Sequence, residues 1–193
     1  MAFELVYFDL KARGEPVRIA LHHAAVPFID TRVTFANWPA LKPSIPTGAL
    51  PVLKKDGEFF AAESNALLRW AGKKSELYPA DDDAALAVDE VLDICTDILT
   101  RCPSEKRLRQ EFAEGQLKGL FDVLAAKAAG AGGFIAGSSL SIADLTVQFA
   151  VLDLIATGNF DHVDTNYAAS WPVLVELSAK IAAHPVVQSW DAS

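Results

Sequence analysis

The sequence predicts an α/β N-terminal part built on a mixed four-stranded sheet, followed by an all-helical C-terminal part. Three observations predict this. Residues 1–75 alternate strand-type and helix-type runs and contain one hairpin signal. Residues 84–193 repeat apolar side chains at helical spacing. Between them, residues 76–83 carry Tyr78-Pro79 and Asp81-Asp82-Asp83, a linker running into a helix start.

Phe3 to Phe8 has the aromatic and branched content of a strand. Gly14-Glu15-Pro16 opens a helix, with the proline in the first turn, where a missing N–H costs nothing. Its apolar residues Val17, Ile19, Ala20, Leu21 and Ala24 face a core, and it ends before Pro27. A second strand follows over Phe28 to Val33. Phe35 to Pro46, with three prolines, reads as an irregular segment holding at most a short helix. Pro51 to Lys55 and Glu58 to Ala61 form a hairpin around Asp56-Gly57, and a helix over Ser64 to Ala71 closes the unit. Strand-helix-strand, hairpin, helix is the thioredoxin-like order. No cysteine pair stands at the first helix, so dithiol chemistry is excluded on that scaffold.

In the second part, Ala84 to Cys102 places Leu86, Val88, Val91, Leu92, Cys95, Ile98 and Leu99 at helical spacing, and Pro103 stops it. Glu105 to Ala129 is a second long helix, ended by glycines. Ser141-Ile142-Ala143-Asp144 reads as a capping box ahead of Leu145 to Ile155. That run has Asp153 as its one charge, which predicts a central buried helix. Two further helices cover Trp171 to Ala183 and Pro185 to Trp190.

The formal net charge of −8 argues against nucleic-acid binding, which needs a basic surface. No run of apolar residues reaches membrane-spanning length, and the N-terminus lacks a secretory pattern, so a cytoplasmic location is expected. Cys95 and Cys102 lie two helical turns apart, too far for an unstrained disulfide. Two buried or half-buried thiols is the preferred reading, with a redox role as the alternative. His22-His23 point to different helix faces, and no metal site is expected.

Chemistry concentrates in the first part. Leu50-Pro51 stands where this fold places a cis proline, a turn that exposes the Leu50 main chain to a peptide-like ligand. A trans proline on an edge strand is the alternative. Ser64 opens the next helix, where it caps the N-terminus or holds a carboxylate there. Glu63 beside it suits an α-amino group. A γ-glutamyl residue carries both charges.

Taken together, Tyr7-Phe8, the run from Arg13 to Arg18, Trp38 with Lys42, Gly48 to Leu53, Glu63 to Trp70, Ser141 to Leu145 and His184 to Trp190 stand in one order and spacing. In that set the chain resembles the cytosolic glutathione S-transferases of the tyrosine type, and the sigma class most. The resemblance implies that Tyr7 hydrogen-bonds the glutathione sulfur and Arg13 supports the thiolate. It implies that Trp38 and Lys42 bind the glycyl end, and that Phe8, Ala49, Leu50, Pro51, Glu63 and Ser64 complete the glutathione site. Asp97 resembles an acid that reaches a partner's γ-glutamyl amine, which implies a homodimer. Glutathione is then the co-substrate, and small hydrophobic electrophiles the second substrate. A glutathione-dependent isomerase or peroxidase, or a noncatalytic binding or structural relative, is the alternative. Ala12 stands where a glycine is usual, which bears on the turn presenting Arg13. A shallow electrophile pocket is expected between the loop after the first strand and Ile98, Arg101 and Cys102.

Overall fold

A computed structural model describes residues 2–192. The sheet has strands β1 (Phe3–Phe8), β2 (Phe28–Val33), β3 (Val52–Lys55) and β4 (Glu58–Ala62) in the order β2-β1-β3-β4. β1 pairs parallel with β2, with Tyr7 opposite Arg32, and antiparallel with β3. The β3–β4 hairpin turns on Asp56 and Gly57, with φ of 52° and 89°. Both values are left-handed, as a two-residue turn matching strand twist requires.

Alternation along β1 sorts its side chains between two layers. Leu5 joins the main apolar core beneath helix α1 (Glu15–His23) and helix α3 (Ser64–Lys74). Val6 points the other way, into a smaller cluster with Val33, Ile45 and Val52, covered by Trp38, Leu41 and Leu50. The irregular segment between β2 and β3, including the short helix α2 (Trp38–Leu41), is therefore the second cover of the sheet.

Helix α3 runs on to Lys74, and helix α4 (Asp82–Arg101) begins two residues earlier than the apolar pattern indicates, because Asp81 accepts the Ala84 N–H and caps it. Helix α5 (residues 106–130) is continuous but takes a π turn over Ala113–Leu117. Helix α6 (residues 142–156) starts at a capping box. Ser141 Oγ accepts the Ala143 N–H, while Asp144 accepts from Ser141 N–H, Ser141 O–H and Ile135 N–H. Every residue from Leu145 to Leu152 is buried, as the lack of charge in that stretch predicts. Helices α7 (Pro172–Ala182) and α8 (Pro185–Asp191) pack outside it. One contiguous core runs from Leu5 through Cys95 to Val187, so the sheet and the helical part share their interior. No helix among the described residues is long and apolar enough to cross a membrane.

Candidate functional site at the end of the first strand

Tyr7 lies on the same face of β1 as Leu5, so its ring enters the interior and is only 6% exposed. It rests flat against the backbone at Gly14. A β-carbon there would lie 2.2 Å from Tyr7 Cδ1 and 2.5 Å from Cγ. Gly14 itself has an ordinary helical φ of −82°. Glycine is needed for the close approach of the ring and not for the backbone conformation.

Between Tyr7 and Gly14 the chain makes a tight turn over Ala12–Gly14. Ala12 takes φ of 33° there, accepting the left-handed conformation that a glycine adopts more easily. The turn presents the Arg13 N–H to the Tyr7 hydroxyl. Burial pushes the Tyr7 phenol above its ordinary value, and this outweighs the Arg13 N–H and the Arg13 and Arg18 charges, which pull it down. The hydroxyl is therefore protonated at neutral pH. It faces the Arg13 backbone and keeps its own proton to donate.

Arg13 also lines a cavity of about 160 Å³ with Glu63, Ser64, Asn65, Thr96 and Thr100. Glu63 holds φ 70° and ψ 111°, a sparsely populated conformation for a residue with a β-carbon. Glu63, and not Ser64, occupies the N-cap of α3, and no side chain caps this helix. Ser64 is the first helical residue, so the capping reading of its hydroxyl is replaced by an uncapped N-terminus whose N–H groups face the cavity end of α3.

The remaining expected residues lie along the far edge. The Leu50-Pro51 peptide is cis. Leu50 precedes the β3 ladder, which starts at Val52. Lys42 is exposed and its stem crosses Gly48, with Cε 3.7 Å from where a β-carbon there would sit. Trp38 packs edge-on to Phe8 at 5.5 Å, and Phe8 in turn lies 5.7 Å from Tyr7. Ala49, next to Leu50 in the chain, is exposed. Asp97 stands apart in its own chain, its carboxylate held 2.7 Å from Arg101.

One residue expected to line an electrophile pocket lies in the core. Ile98 is wholly buried, because the apolar stripe of α4 that includes Val91, Leu92 and Cys95 turns into the core. The loop after β1 instead forms a cavity of about 340 Å³ with the end of α6. Its walls are Asp9, Leu10, Lys11, Ala12 and Phe35 on one side, and Asp153, Leu154, Thr157 and Asn159 on the other. Lys11 Nζ stands 3.8 Å from Asp153, whose other oxygen accepts from Gln148 Nε2.

Sequence reasoning gave no role to Arg18, which is fully buried under this loop. The available signal was an arginine three residues after Glu15 amid the otherwise apolar buried face of α1.

A model of the glutathione S-transferase C-terminal domain matches residues 94–193. A probable glutathione S-transferase from Caenorhabditis elegans is 31% identical over 168 residues, covering 80% of this chain and 81% of that protein. The chain belongs to the glutathione S-transferase family. A glutathione S-transferase from Anopheles gambiae is 41% identical over 95 residues, 49% of this chain and 46% of that protein. The chain thus spans about half the length of the first curated relatives it matches. A solved prostaglandin synthase D from Nilaparvata lugens superposes over 100% of this chain and 98% of its own, with a TM-score of 0.83 at 24% identity, which establishes the shared fold. In this family fold, a sheet of thioredoxin-like order and a helical part meet at the Ala12–Gly14 turn and the α3 N-terminus.

Proposed function

We propose that this chain is a glutathione transferase that holds glutathione beside Tyr7 and joins its sulfur to an electrophile. The observation that carries the reading is the Tyr7 hydroxyl. It is buried and protonated, its ring is held against Gly14, and it faces the backbone of Arg13, the residue that lines the cavity with Glu63 and Ser64.

A free thiol with a pKa of about 8.5 is only a few per cent thiolate at neutral pH. A phenol O–H aimed at the sulfur favours the anion, and each pKa unit gained is about a tenfold gain in thiolate. The thiol proton leaves to solvent, the thiolate attacks the electrophilic carbon, and the leaving group departs with the electron pair of the broken bond. Around that step, the uncapped start of α3 and Ser64 take the γ-glutamyl carboxylate, and Glu63 takes its amine. The Leu50 main chain pairs with the cysteinyl backbone. Trp38 and Lys42 take the glycyl carboxylate, with Phe8 and Ala49 flanking. Arg13 adds positive charge near the sulfur.

The electrophile sits in the cavity between the loop after β1 and the end of α6. We further propose a homodimer in which Asp97 of one chain reaches the amine site of the other. Phe59 and Phe60 on β4, 44% and 45% exposed, are the apolar residues this arrangement would cover. Residues 1–75 then form the glutathione-binding domain and residues 84–193 the helical one, in a tyrosine-type, sigma-like enzyme of the cytoplasm. A second reading, a glutathione-dependent isomerase, draws on the likeness of the fold to prostaglandin synthases.

Turnover of glutathione with a chromogenic aryl halide tests the reading in wild type and Tyr7→Phe. Loss of one preorganised donor to a developing anion lowers kcat by about 10²-fold in comparable sites. If wild type binds glutathione and no electrophile in a broad panel reacts, the transferase reading fails. Equal rates for the two proteins would remove Tyr7 from the chemistry.

A further inference from the structure

Arg18 has the largest side chain among those wholly withdrawn from solvent, and the reaction above does not use it. Its guanidinium donates from Nε to Asp30 at 2.9 Å and from Nη1 to Glu15 at 3.0 Å. Its other bonds go to main chain: Nη1 to the Leu10 carbonyl at 3.0 Å, and Nη2 to the Phe8 carbonyl at 3.2 Å. The group lies 5.6 Å from the centre of the Tyr7 ring. The second oxygen of Glu15 accepts from the indole N–H of Trp190 in α8 at 2.8 Å.

Burying a guanidinium costs several kcal/mol and is sustained only when its donors are satisfied. Two carboxylates would meet that need with charge alone. Here donors also go to the two carbonyls where the chain leaves β1 and enters the Ala12–Gly14 turn. The planar fork of an arginine can hold four such acceptors in one plane, and an ammonium cannot. Fixing the Phe8 and Leu10 carbonyls fixes the entry into the turn. That turn carries Gly14, whose backbone lies directly against the Tyr7 ring, so its entry sets where the ring and its hydroxyl stand.

We propose that Arg18 is a positioning residue for the transferase reaction. It holds the Phe8–Leu10 segment and the turn that follows, and with them the Gly14 backbone against the Tyr7 ring, and through Glu15 it ties that geometry to the C-terminal helix at Trp190. The proposal rests on the reading of Tyr7 as donor to the glutathione sulfur.

The test is Arg18→Lys, which keeps the charge and loses the fork, read by two titrations. The first follows the Tyr7 phenol by absorbance in the ligand-free protein, against a Tyr7→Phe background. With three tyrosines in the chain the subtraction is simple. The second follows the thiolate absorbance of bound glutathione across pH. Arg18→Lys is expected to move the bound thiol up by about one pH unit, to cut kcat about tenfold at pH 6.5, and to recover at alkaline pH. The glutathione KM should stay within about threefold, and the Tyr7 phenol should titrate higher as the Arg13 backbone, which pulls it down, moves away. A merely structural role would lower activity evenly at all pH values.

A folded Arg18→Lys whose two titrations match wild type within about 0.2 units overturns the proposal. Should that variant not fold, the double variant Glu15→Leu with Arg18→Met decides. It replaces the buried pair by apolar groups, which buried pairs commonly survive. The same upward shift is expected, and its absence overturns the proposal. If neither variant folds, Arg18 is a residue of the fold only, and the proposal falls. Were the wild-type bound thiol to titrate like free glutathione, the functional reading would fail. The Tyr7 phenol arm would still report on Arg18.

Discussion

Replacing Gly14 by alanine adds one methyl group at the most crowded point of the site. That carbon would sit 2.2, 2.5 and 2.9 Å from Cδ1, Cγ and Cε1 of Tyr7, where ordinary carbon contacts are about 3.5–4.0 Å. Between one and two ångströms of overlap must be relieved. The backbone cannot yield easily, because Gly14 caps α1 and the Glu15 N–H is bonded to the Lys11 carbonyl at 3.1 Å. The ring must tilt instead, although it is enclosed, with Phe8 5.7 Å away and Arg18 above it. Overpacking of this kind costs about 1–3 kcal/mol. For a chain of this size that lowers the melting temperature by roughly 2–4 °C per kcal/mol. The functional cost is larger. Tilting the ring swings the hydroxyl away from the Arg13 N–H, and displacement of a reacting group by about 1 Å costs on the order of 10²-fold. Thermal melts and aryl-halide conjugation on Gly14→Ala should therefore show a modest loss of stability and a hundredfold-scale loss of kcat/KM. A variant within threefold of wild type would refute the account of how Tyr7 is held.

Further predictions follow from buried groups. Asp144→Ala removes the acceptor for two main-chain N–H groups and the Ser141 hydroxyl, and should destabilise by about 3–5 kcal/mol in urea titrations; a loss under 1 kcal/mol would contradict the capping role. Because burial raises the Tyr7 pKa, the folded protein holds that proton more tightly than the unfolded chain. The corresponding stability is complete below pH 10 and is lost as pH rises through the higher folded value. The urea midpoint of wild type relative to Tyr7→Phe should accordingly shrink between pH 9 and 11 on this account, and a constant gap would count against it. Burial pushes both thiols up, Cys95 much further than the half-buried Cys102. A thiol reagent should thus label Cys102 slowly in the native protein and Cys95 only on unfolding, and equal native labelling would show that α4 opens.

Much of the fold was legible locally. Asp56-Gly57 between two strand-type runs specifies its hairpin because only left-handed central residues match the strand twist. Ser141 and Asp144 announce the start of α6 because their spacing satisfies two orphan N–H groups at once. Leu50-Pro51 was readable as a cis turn once the surrounding order was seen. The end of α3 was not legible. Residues Gly72 to Lys74 carry no apolar periodicity, and α3 continues through them with Gly72 packed on Ile142 of α6. Ile98 was expected beside a ligand and is not, for a related reason. Helical spacing finds the apolar face of α4 without telling whether that face meets a ligand or a neighbouring helix. Ile98 meets the core.

By itself the sequence determined the elements, their order and the residue types available at the end of β1. Those follow from short-range rules of spacing, capping and turn chemistry. Only the tertiary structure decided what each residue touches: the Tyr7 ring on Gly14, the Arg13 backbone facing its hydroxyl, and the buried Arg18 beneath the loop between them. Such contacts depend on how separate elements close-pack, and no local periodicity encodes which side chain a neighbouring turn will meet.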